Sequence, residues 1–129
     1  MSVEDPGQLI VLIEIHIGCW KQFNYFVNAA RAKMFGPDEE FHFLELKKIM
    51  AKDLEVIFAS IEARSPARTE IPALMGRAQS LRHLSEMGEG DLHDIENAWH
   101  KIYISWHSIL GQLKMKQRNG EISSTGGKK

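Results

Sequence analysis

Three ionisable side chains stand where a helical chain would turn them inward. His16, Asp53 and Glu96 each fall on, or at the edge of, an apolar row with three- and four-residue spacing. At ~1.5 Å of rise per residue, heights along antiparallel helices can be compared, and all three are expected within about one helical turn of the same level. Unpaired charge is costly to bury, so such groups are expected to meet one another, water or a cation. A hydrogen-bonded polar layer is the plainer expectation. The sharper one is a mononuclear metal centre with His16, Asp53 and Glu96 as ligands, a donor set that suits Zn, Mn or Fe.

The other histidines offer less. His93, His100 and His107 recur every seven residues and line one strip of a helix, about 100° from the Leu92-Trp99-Trp106 row. Successive members are ~10.5 Å apart along the axis, too far to share a metal ion, so the strip reads as a solvated border of the core. Glu39-x-x-His42 has the spacing used by carboxylate-bridged di-iron bundles, which need a second copy on another helix. Here Trp99 stands three residues after Glu96, and no second copy exists. Lys114, Lys116 and Arg118 suit the negative C-terminal end of a last helix. The chain has no Gly-rich phosphate loop, no zinc spacing and no G-x-S-x-G elbow.

Arg77 and His83 are six residues apart. This pair resembles the Arg and His of HEPN-type ribonucleases, small helical bundles that use such a pair on RNA. The polar residue usual after that Arg is Ala78 here, and the match covers two residues, so the family is not assigned. What the resemblance implies is an RNA-cleaving alternative; a solvated surface Arg and His is the simpler expectation.

These side chains must be positioned by helices. Within the 129 residues, 43% are hydrophobic and 26% charged, ordinary proportions for a single globular domain. Proline is scarce, at 4 residues, which favours long helices over strands and turns. The net charge of −1 lacks the basic excess of nucleic-acid binders. Cys19 is the single cysteine, expected as a small core residue in a reducing, cytoplasmic compartment. The acidic opening lacks the basic start of a signal peptide, and the run Leu9 to Ile13 is far short of the ~20 residues that span a bilayer.

The expected fold class is all-α: one antiparallel, up-down-up-down four-helix bundle with helices at about 6–35, 38–64, 70–87 and 91–117. Asp5-Pro6 opens the first, with Asp5 as cap, and Gly36-Pro37 stops it. Ser65-Pro66 ends the second, and residues 65–71 form a loop. Gly88 follows the third as its C′ residue, and Asp91 caps the fourth. Residues 1–118 make the bundle, and 119–129 a flexible polar tail. A rival reading takes the alternating Ile13-Glu14-Ile15-His16-Ile17 as a strand, but no partner strand appears elsewhere.

One end of this bundle carries more apolar surface than a small core needs. The first helix adds Ile10, Val11, Ile15 and Ile17 to its inner row, and its neighbours add Val56, Phe58, Ile104 and Met115. Contiguous exposed apolar surface usually marks a protein contact. A homodimer through the first and fourth helices, with Ile10, Val11, Ile15, Ile17, Phe58 and Ile104 at the contact, is the preferred expectation. A helical hetero-partner and a deeper core compete with it. The function expected from the sequence is a non-enzymatic interaction or scaffold protein, with the metal-binding bundle as the alternative.

Overall fold

The computed structural model describes residues 6–60 and 67–128, with side chains placed for 7–60 and 70–118. The described residues form an all-α protein of five helices, with no strand among them. Helix α1 is Pro6–Arg31, α2 Pro37–Ser60, α3 Ala67–Arg77, α4 Leu81–Ser85 and α5 Glu89–Lys128. Asp5, the stop at Ser65-Pro66 and the expected end of the second helix at 61–64 lie outside the described residues. None of the described helices is long and apolar enough to cross a membrane.

Helix α1 takes in Ile13–Ile17, so the strand reading of that segment is wrong. It closes four residues earlier than expected, through a backbone motif and not at Gly36-Pro37. The Met34 N–H donates to the Ala29 carbonyl at 2.8 Å and the Lys33 N–H to the Ala30 carbonyl at 3.0 Å. Lys33 stands between them in the left-handed region, at φ 58°. These are the two bonds of a Schellman cap, with lysine in the place glycine usually fills. Helix α2 starts at once, because Glu39 reaches back to the Gly36 N–H at 2.7 Å and Pro37 takes the first-turn position.

The expected third helix is two helices. Residues 67–71, expected as loop, are the first turns of α3, and Pro72 lies inside it, where its missing N–H forfeits one helical bond. The chain leaves helix at 78–80, and Ser80 restarts it, its extended backbone and hydroxyl capping the His83 N–H at 3.0 Å. Helix α2 holds both sides of this joint. The Glu40 carboxylate accepts from the Leu81 N–H at 2.8 Å and the Arg82 N–H at 3.2 Å. The Lys47 ammonium donates to the carbonyls of Ala78 at 2.7 Å and Met75 at 3.1 Å. Opposite charges thus meet opposite helix ends, as the peptide dipoles require. Burial pulls the Lys47 ammonium below its ordinary pKa, with Glu40 opposing the shift.

Gly88 is not a left-handed C′ residue, since no described glycine has positive φ. It opens α5 instead, its carbonyl accepting from the Leu92 N–H at 3.0 Å, with Glu89 and Asp91 in the first turn. Helix α5 continues through residues 119–128, the segment expected as a polar tail.

Helix α1 is the central element and packs against α2, α4 and α5, while α3 packs on α5. Its pairings with α5 run in opposite directions along the two chains: Glu14 with Lys114 at 3.2 Å, the Trp20 carbonyl with the Trp99 indole N–H at 2.8 Å, and Arg31 with Glu96 at 2.9 Å. Phe23, Phe26 and Phe43 interlock between α1 and α2, with ring centroids 5.5–5.8 Å apart. Each such ring taken from water contributes about 1.5–3 kcal/mol.

Candidate functional site

Helix α1 carries one polar side chain into the core. His16 is 0% exposed, the only buried polar residue among those described. It stands four residues from Trp20 on the same helix, and the Trp20 indole N–H donates to its Nε2 at 3.0 Å. With Nε2 accepting, the ring proton belongs on Nδ1, which faces Asp53 Oδ2 of α2 at 3.4 Å. The indole of Trp106 from α5 packs edge-on against the imidazole, with centroids 5.1 Å apart. Burial lowers the His16 pKa below its ordinary value, against the opposing pull of the Asp53 charge. The ring is therefore neutral at pH 7, with both nitrogens engaged.

Part of the expected inward layer forms and part does not. The structure brings His16 and Asp53 together, and leaves Glu96 out. The residue of α5 level with His16 is Trp106, and Glu96 lies ten residues earlier, about 15 Å along the helix. Glu96 is instead gripped through both oxygens by the two terminal nitrogens of Arg31, which hold its carboxyl below the usual carboxylate range. The metal centre is corrected accordingly: a shared ion needs ligand atoms ~2 Å away, and the Nε2 lone pair already accepts from Trp20. Among the described residues, no three His, Cys, Asp or Glu side chains gather as ligands for Zn, Mn or Fe. Cys19 lies half-buried near Asp53, and burial, with the Asp53 charge, pushes its thiol pKa up, away from nucleophile or ligand.

The expected contact residues divide in the same way. Ile10 and Ile17 are 7% and 4% exposed, and belong to the core of the chain itself. Phe58 is half-buried and stacks on Trp106 at 5.9 Å. Val11, Ile15 and Ile104 do face outward, each more than half exposed, as does Met115. At about 100° per residue, Val11 and Ile15 stand nearly opposite the buried Ile13, and Ile104 nearly opposite the buried Ile102 and Trp106.

His93, His100 and His107 are exposed, the last against the edge of Tyr103. His93 and His100 line a shallow cavity of about 310 Å³ with Asn24, Glu96, Asn97 and Trp99. Glu39 is engaged by the Gly36 N–H, which leaves Glu39-x-x-His42 a helix start. Arg77 lines a second cavity of about 300 Å³ between α3 and α5, beside Lys101 and Glu70. His83 is not in that cavity; it belongs to α4, beyond the helix break, so the two are not six positions along one helix. Lys114 is ion-paired with Glu14 and is not in a last helical turn.

Sequence reasoning missed the joint made by Glu40 and Lys47. Their seven-residue spacing on one face of α2 was the available signal, but three adjacent acids (Asp38, Glu39, Glu40) suggest the helix dipole alone. Compared with known protein families, curated proteins and solved structures, the chain finds no match.

Proposed function

We propose that this chain is a non-enzymatic helical interaction protein of the cytoplasm, an up-down-up-down four-helix bundle whose third column is divided into α3 and α4. It self-associates through the outward faces of α1 and α5. The opposed directions of α1 and α5 support the bundle topology. The observation that carries the functional reading is the outward placement of Val11, Ile15 and Ile104, 54%, 58% and 55% exposed on the helix sides away from the core. Aliphatic side chains in that position gain nothing from water, and a second copy would cover them.

The contact must hide at least ~1,000 Å² in total to be stable, so Met115 and the stems of Glu14 and Lys114 belong to it as well. Since Ile17 is buried, the informative variant is Ile15→Glu. Sedimentation at micromolar concentration is expected to give a dimer for the wild type and a monomer for Ile15→Glu, with the melting temperature of the folded subunit little changed. A wild type that sediments as a monomer throughout that range refutes the reading.

A further inference from the structure

Among the described residues, His16 is the one buried side chain whose charge can change near neutral pH, and its surroundings suit only one of its two states. In the neutral ring, Nε2 accepts the Trp20 N–H at 3.0 Å and Nδ1 faces Asp53 at 3.4 Å. Adding a proton to Nε2 sets an N–H against the Trp20 N–H. Two donors cannot share that contact, and one of them must lose its partner inside the core. Trp106, packed on the same ring, offers no acceptor; its own indole N–H is buried without one among the described residues.

We propose that His16 is a proton-operated latch, which holds α1 against α2 and α5 while neutral and releases it on acidification. The groups around it leave little to offset the added charge. Helix α2 presents Asp53, half-buried and at the long end of hydrogen-bond distance, which can favour the charged ring but touches only Nδ1. Helix α1 presents Trp20 and Cys19, and the Cys19 thiol is held protonated. Helix α5 presents the indole of Trp106, and the described side chains buried by α3, α4 and the break between them are all apolar: Ile71, Leu74, Ala78, Leu81 and Leu84. The remaining five histidines are exposed, so His16 is the one histidine whose added proton the core would have to accommodate.

A histidine kept neutral by folding makes the unfolded chain the better proton acceptor. Stability from this group is complete above the ordinary imidazole value of about 6.5, and falls as pH drops below it toward the lower folded value. The unfolding equilibrium constant then rises by up to about tenfold per pH unit in that window. The test is urea unfolding, followed by far-ultraviolet circular dichroism from about pH 7.5 to about pH 5, for wild type and His16→Gln. Glutamine keeps an acceptor for Trp20 and a donor for Asp53 but takes up no proton.

The wild type is expected to lose stability across the window and His16→Gln to stay level. Asp53→Asn gives an independent arm, since removing the carboxylate lowers the folded pKa further and carries the loss to lower pH. Nitrogen-15 spectra of the wild-type imidazole should show the Nδ1–H form at the upper end of the range. Parallel pH profiles for wild type and both variants overturn the proposal, as does a native ring already protonated at neutral pH. Should His16→Gln fail to fold, the Asp53→Asn profile and the imidazole spectrum decide the matter.

Discussion

Replacing Glu40 by alanine removes the acceptor that starts α4 from outside. Two backbone donors, the Leu81 N–H at 2.8 Å and the Arg82 N–H at 3.2 Å, lose a charged partner. A sheltered bond to a charged group contributes about 1.5–3 kcal/mol, but these donors lie at the edge of solvent and water replaces part of the loss. Helix-cap replacements, the closest analogue, cost about 0.5–2 kcal/mol. We therefore expect Glu40→Ala to cost about 1–2 kcal/mol, a fall in melting temperature of roughly 3–8 °C for a chain of this length. Lys47→Met frees the carbonyls of Met75 and Ala78 across the same joint and should cost a similar amount. Because both side chains hold one break, the double variant should cost less than the sum. Urea unfolding by circular dichroism gives the energies, and amide hydrogen exchange at Leu81 and Arg82 gives the location. Unchanged stability and unchanged protection of those two amides in Glu40→Ala would show that the joint is held by apolar packing alone.

Two further predictions concern α1 and its partners. Trp20 and Trp106 are both 0% exposed, but among the described residues only Trp20 of the two finds an acceptor for its N–H. Trp20→Phe should therefore destabilise the protein by about 1–3 kcal/mol more than Trp106→Phe in chemical denaturation, since it also strands the Nε2 of His16. Glu96→Gln breaks a partly exposed two-point grip by Arg31 and should cost about 1 kcal/mol at neutral pH. Because Arg31 lowers the Glu96 pKa on folding, that contribution is present above the ordinary carboxyl value. It is lost as pH falls through that value toward the lower folded one, so the wild-type and variant stabilities should draw together as pH falls below the ordinary carboxyl value.

The helical segments and their order could be read from the apolar spacing, since Phe43, Leu46, Met50, Leu54 and Ile57 mark the buried side of α2 with little ambiguity. The break inside the third segment could not. Its determinants, Glu40 and Lys47, sit on a different helix, and Ser80 alone is weak evidence for a new start. Glu96 cannot reach the level of His16 whichever helix ends are used: it stands near the start of α5, beside the end of α1, whereas His16 lies in the first half of α1. Ile10 and Ile17 read as contact residues from the sequence because a peripheral helix buries only a narrow apolar row. A helix packed against α2, α4 and α5 together buries a wider arc, and Ile17, four residues from Ile13 and three from Trp20, falls inside it.

All three tryptophans lie in one half of the molecule. Trp20 and Trp106 enclose the imidazole of His16, and Trp99 donates to the Trp20 carbonyl, so every indole sits where α1 meets α5. Helices α2, α3 and α4 carry none. Intrinsic fluorescence is therefore a one-sided witness. Separation of α1 from α5 changes the surroundings of all three emitters at once, whereas parting of the α3–α4 joint from α2 leaves them where they were. Where the fluorescence and dichroism transitions of this protein coincide, the two halves come apart together. Where dichroism moves first, the joint has opened while the indoles still report a native neighbourhood.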